Sequence, residues 1–149
     1  MDSPDEALRI EGAFSLSRLA RPEGIEMLAG FAEKRPQLDS QLRQSLVSRM
    51  IYEGKEAGRR RVAQMFSDEQ DMEVKLFMAP SLPQEREAEV ISFLEDCLGH
   101  RSPVIRHIAA GNIPSSLAGA ALAARALVDE PDPVVRRALD KPRNKGLMQ

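Results

Sequence analysis

Four basic residues recur along the chain at a nearly constant interval: Arg43, Lys75, Arg106 and Arg136, separated by 32, 31 and 30 residues. One cation per copy of a repeated element would line up as a basic stripe. Such a stripe suits an acidic peptide or a phosphate-bearing partner. The positions just after these bases hold Gln44, Leu76, His107 and Arg137. They differ from copy to copy and are the candidates for specificity. The competing reading is structural, with the bases bracing adjacent copies through internal ion pairs, because regularly placed charges often serve the fold.

Two further groups invite a chemical reading. Arg59, Arg60 and Arg61, with Lys55 nearby, form the densest basic cluster, but Glu53 and Glu56 dilute it. No aromatic side chains interleave with it to stack bases, so nucleic acid is an unfavoured partner. Cys97, His100 and His107 fall within one repeat, yet their spacing is not a zinc pattern and a fourth ligand is missing. Cys97 instead shares a stripe with Val90 and Leu94, where a thiol behaves as a small hydrophobe. No nucleophile elbow, P-loop or zinc-protease motif occurs, so no enzyme activity, cofactor or metal is expected.

Composition narrows the class. Of 149 residues, 21 are Lys or Arg and 23 are Asp or Glu, a formal net charge of −2, which supplies no basic field for nucleic acid. No apolar run approaches a membrane span, and the acidic, polar stretch from Met1 to Glu11 is unlike a targeting segment. One cysteine cannot form an internal disulfide. A cytoplasmic protein is expected.

The elements that must position the bases are helices. Asp132 precedes Pro133, the residue type that fits a first helical position, and Val135, Ala138 and Leu139 then share one face. Ser102-Pro103-Val104-Ile105-Arg106 repeats that signature. Asp71 and Asp39 open weaker copies without the proline, and a degenerate copy begins at Asp5. A different amphipathic segment precedes each copy. Helices are expected from Asp5 to Ala20, closed by Pro22, then from Gly24 to Lys34, and near Ala57 to Phe66. A further helix running to Leu98 would be opened by a Ser81-x-x-Gln84 capping box, and a last long one starts at Pro114-Ser115. In that last helix Leu117, Ala120, Ala121, Ala124, Leu127 and Val128 are expected to face the core. Gly54 should end the Asp39 helix in a left-handed conformation.

No period-2 alternation competes with these patterns. The expectation is an all-α chain, a right-handed α-solenoid of about four antiparallel helix pairs over residues 22–142. Residues 1–21 would form an N-terminal helix or degenerate capping repeat, and 143–149 a basic tail. Because a repeat array exposes its terminal apolar faces, end-to-end homodimerisation is also expected.

The Asp132-Pro133-Val134-Val135-Arg136 and Ser102-Pro103-Val104-Ile105-Arg106 stretches resemble HEAT and HEAT-like repeats, whose second helix opens with an Asp-Pro-type cap followed by Val-Arg. The interval of about 31 residues is similar to the short-period bacterial variety. In that family an acidic residue six before the Arg commonly pairs with it or with its neighbour, building a ladder. Glu130 and Glu69 occupy such positions, whereas His100 and Gln37 depart from them. The resemblance implies that the second-helix, concave face is the binding surface, and with the repeat and the missing catalytic motifs the expectation is a non-enzymatic scaffold holding a protein partner there, one that the basic stripe would suit if acidic. It also leaves two alternatives: a nucleic-acid-binding protein, and a lyase or chaperone-like helper of cofactor assembly. Family members that are DNA glycosylases grip a base with aromatic side chains, whereas this chain has no Trp and Tyr52 as its one Tyr.

Overall fold

Asp132 accepts hydrogen bonds from the backbone N–H groups of Val134 and Val135 at 2.8 and 3.1 Å, with Pro133 at the first helical position. Asp71 does the same for Glu73 and Val74 at 3.0 and 3.2 Å. These caps satisfy donors that every helix leaves orphaned at its start. A computed structural model describes residues 22–34 and 40–141, with the isolated positions 11, 12, 15 and 18. The expected helix over 5–20, the Asp39 cap, Gln37 and the tail 143–149 lie wholly or mostly outside those residues.

Among the described residues there are eight helices and no strands: α1 (Pro22–Lys34), α2 (Ser40–Tyr52), α3 (Lys55–Phe66), α4 (Met72–Met78), α5 (Glu87–Leu98), α6 (Pro103–Asn112), α7 (Leu117–Asp129) and α8 (Pro133–Leu139). The fold is all-α. The recurring base falls on α2, α4, α6 and α8, each following a different amphipathic helix. None of the described helices is long and apolar enough to cross a membrane.

The chain divides into two compact units between Leu82 and Pro83. In the first, α2 packs on α1, α3 and α4. Leu28, Leu46, Met50, Phe66 and Val74 fill the core. Each such side chain contributes about 1.5–3 kcal/mol through removal from water. In the second unit α6 packs on α5 and α8, while α7 packs on α5 and α8. Its core is smaller, built from Leu94, Cys97, Ile105, Leu122, Val135 and Leu139.

Several local expectations give way to tertiary contacts. Pro22 is the first residue of α1, and Glu11, Gly12, Ser15 and Arg18 of the expected preceding helix are helical. Ser81 caps nothing downstream. Its hydroxyl donates back to the Met78 carbonyl at 2.7 Å, and α5 begins only at Glu87 after a 3-10 turn over Gln84–Arg86. The cap of α7 is Ser116, which accepts from the Gly119 N–H at 3.0 Å. Gly54 is right-handed (φ −75°), and the left-handed residue is Lys55 at φ 50°. Gly54 and Gly58 are required for space instead. A Cβ on Gly58 would stand 1.7 Å from the Met50 carbonyl oxygen, and one on Gly54 2.5 Å from the same atom, so α2 and α3 meet backbone to backbone.

The largest departure is α7. Gly119, Leu122 and Ala123 are its buried residues, whereas Leu117, Ala121, Ala124 and Val128 face solvent. In an alanine-rich helix nearly every face is apolar, so periodicity alone cannot choose the one that packs.

Candidate functional site

The bases that open the sequence argument are mostly committed to the fold. Arg106, in the first turn of α6, donates from Nε to Glu130 Oε2 at 2.8 Å and from Nη2 to Glu130 Oε1 at 2.9 Å. Its Nη1 reaches the carbonyls of His100 and Arg101 at 2.9 and 3.1 Å. Glu130 Oε1 accepts the Asp132 N–H at 2.8 Å, and Asp132 then caps α8. The chain Arg106, Glu130, Asp132 therefore ties the N-terminal ends of α6 and α8 together. Two parallel charge-assisted bonds fix both distance and orientation.

The first unit repeats this device. Arg43, buried on α2, donates from Nη2 to Glu69 Oε2 at 2.5 Å, and Glu69 Oε1 accepts the Asp71 N–H at 2.8 Å. Asp71 caps α4 and also receives the Ser40 hydroxyl at 2.7 Å on Oδ2. Arg43 Nε adds a bond to the Ala32 carbonyl of α1 at 3.3 Å.

Electrostatics follow the geometry. The Arg106 guanidinium, with help from the Asp132 N–H, holds the Glu130 carboxyl below the usual carboxylate range despite its burial. Burial works to raise the Asp71 pKa, but the Ser40 hydroxyl, the N–H groups of Val74 and Glu73, and the Arg43 charge together lower it. Arg106 is raised in turn by Glu130.

The residue six before the base has the same role at the three described positions. Glu69, His100 and Glu130 each accept the N–H of the residue two further on, His100 doing so through Nδ1 to Ser102 at 3.1 Å. Ser102 itself makes no side-chain cap. The carbonyls of His100 and Glu130 also accept from the base of their own repeat, Arg106 at 2.9 Å and Arg136 at 3.0 Å. The two glutamates additionally receive the Arg of the preceding repeat, 26 and 24 residues earlier. An acidic residue at this position thus pairs with the neighbouring base, not with its own.

The remaining expected site residues fall in different places. Lys75 lies over the Phe66 ring, 4.8 Å from its centroid. Arg136 also donates to the Leu127 carbonyl at 3.1 Å. Leu76 is only 1% exposed and belongs to the core, so the variable position offers no side chain for recognition in that repeat. Arg43 is likewise buried and offers none. Gln44 is half-buried, while His107 and Arg137 are exposed and make no hydrogen bond or ion pair with any described residue.

Two of the four bases in the cluster on α3 are paired with carboxylates. Arg61 bonds Glu26 and Glu33 of α1 at 3.1 and 2.9 Å, and the two carboxylates raise its pKa against the effect of burial. Arg60 pairs with Glu56 at 3.2 Å. An analogous contact joins Arg125 of α7 to Glu95 of α5 at 2.9 Å. Sequence reasoning missed both of these pins. Their interval, 28 residues for Arg61 to Glu33 and 30 for Arg125 to Glu95, was the available signal.

No group of three or more His, Cys, Asp or Glu among the described residues is arranged to hold a metal ion. Cys97 is buried, His100 Nδ1 is engaged by Ser102, and His107 faces outward. Within the second unit a cleft of about 610 Å³ opens between the C-terminal parts of α5 and α7, and Leu98, Leu122, Ala126, Arg106 and Glu130 are among the residues that line it. The ion pair between Arg125 and Glu95 lies at this cleft.

No family, no curated protein and no solved structure matches the chain.

Proposed function

We propose that the protein is a non-enzymatic interaction scaffold, a short HEAT-like α-solenoid of antiparallel helix pairs that holds a protein partner on its second-helix faces, that of α2 and α4 in the first unit and that of α6 and α8 in the second. One observation carries the reading. The same brace, Arg to Glu to the Asp that caps the next helix, is built twice, as Arg43-Glu69-Asp71 and Arg106-Glu130-Asp132. Repeated bracing of this kind supports a stiff surface whose outward side chains can vary without disturbing the frame. His107 and Arg137 occupy such outward positions beside braced bases.

The test is position-specific crosslinking in native extract. A photoreactive side chain is placed at Gln44 or His107, and for comparison at the exposed Gln64 of α3 or Asp96 of α5. The expected result is a stoichiometric complex crosslinked from Gln44 or His107 and not from the comparison sites. Failure to recover any stoichiometric complex, or crosslinks confined to Gln64 and Asp96, would reject the scaffold reading.

A further inference from the structure

The outward faces of the two units differ in chemistry. On α2 and α4 the exposed positions are Gln41, Ser45 and Glu73, together with Tyr52 at the helix end. On α6 and α8 they include Val104, 64% exposed, Val134, 54% exposed, and Ile108, 40% exposed. One turn beyond the two valines stand His107 and Arg137. The sequences of α6 and α8, PVIRHIAAGN and PVVRRAL, contain no acidic residue. Among the described residues the acid ion-paired with their bases is Glu130, buried and spent on Arg106, while Asp132 caps α8 and adds its charge near Arg106.

The brace sets the geometry of this surface. Val104 and Val134 are the second residues of α6 and α8, His107 and Arg137 are the fifth, and Arg106 with Glu130 ties the N-terminal ends of those two helices together. The result is an apolar step followed by a row of donors. Three branched apolar side chains left in water are unfavourable by the hydrophobic effect and mark a contact surface when they gather with unpaired charge.

Resting on the scaffold reading, we infer that this face of the second unit docks an acidic amphipathic segment of a partner protein, with apolar side chains seated on Val104, Ile108 and Val134 and carboxylates meeting Arg137 and His107. Charge complementarity selects this occupant. A second copy presenting the same face would bring the same cations and, from α6 and α8, no acid to meet them. A nucleic acid would leave the valines against phosphate and find no aromatic side chain on α6 or α8 for stacking. An acidic helix or strand with one apolar side satisfies both halves of the surface.

The experiment is a titration of the ¹⁵N-labelled full chain at low salt with three synthetic probes: an amphipathic peptide of Glu and Leu, its Lys and Leu counterpart, and an oligothymidine. The Glu/Leu peptide is expected to shift the amide signals of Val104, His107, Val134 and Arg137, while the other two leave them in place. Affinity is expected to fall about tenfold in Val104→Ser/Val134→Ser and again in Arg137→Glu, with spectra that otherwise remain native. Equal response to both peptides, displacement by oligothymidine, signals moving only on α2 and α4, self-association in place of peptide binding, or no response to the Glu/Leu peptide overturns the inference. A stoichiometric partner that crosslinks from Gln44 alone would also overturn it while leaving the scaffold reading intact.

Discussion

Glu130 receives Arg106 on both carboxylate oxygens, at 2.8 and 2.9 Å, and on one of them also takes the Asp132 N–H at 2.8 Å. A buried acid so placed has little choice of partner. Its counterpart in the first unit, Glu69, takes Arg43 on one carboxylate oxygen and the Asp71 N–H on the other.

Removing Arg106 leaves Glu130 buried without its cation, and removing Glu130 leaves the largely covered Arg106 guanidinium with backbone carbonyls alone. Arg106→Ala and Glu130→Ala are each expected to cost about 3 kcal/mol in chemical denaturation, and the double variant much less than their sum. Single costs under about 1 kcal/mol that simply add would show that the pair is not a brace.

Acid should loosen the fold through the same residues. Glu130 and Asp71 have folded-state pKa values below their ordinary ones. The stability they add is complete above the unfolded value, about pH 4, and is lost as pH falls through the folded value. The denaturation midpoint is therefore expected to drop below about pH 5, and Glu130→Gln to weaken that dependence. An unchanged acid profile in Glu130→Gln would remove Glu130 as a cause.

Glycine substitutions should separate space from propensity. Gly58→Ala places a Cβ 1.7 Å from the Met50 carbonyl oxygen, and Gly119→Ala places one 2.1 Å from that of Pro114. Each is expected to destabilise by about 2 kcal/mol or more, although alanine is the better helix former. Gly30, with nothing within 4 Å of the added atom, should instead gain roughly 0.5–1 kcal/mol as Ala. Thermal melts of the three variants check this, and a common sign would contradict it.

Lys55 holds a left-handed backbone, at φ 50°, that costs a side-chain-bearing residue about 1–2 kcal/mol. Lys55→Gly is expected to raise stability by roughly 0.5–1 kcal/mol, the gain being reduced by the freer unfolded chain. A destabilised Lys55→Gly would mean that the lysine side chain does more for the turn than the backbone strain costs.

What the sequence by itself determined is local. The Asp71 and Asp132 caps, the Pro133 start, the stripe of Val90, Leu94 and Cys97, and the recurrence of a base every 30 to 32 residues all follow from chemistry within a few turns of chain. Capping needs only a carboxylate two or three residues before its donors, so position in the sequence suffices.

Tertiary structure alone decided which groups meet across 24 or more residues, and which side of an apolar helix is covered. That Glu130 would hold Arg106 rather than Arg136, that Leu76 would be interior while Arg137 is exposed, and that Leu117 and Val128 would face solvent depend on neighbouring helices. The same holds for Ser81 and Ser102. Both have the residue type of a cap, but one hydroxyl bonds Met78 and the other makes no cap at all. Helical periodicity defines the faces of each helix, and only packing against a partner selects the face that leaves water.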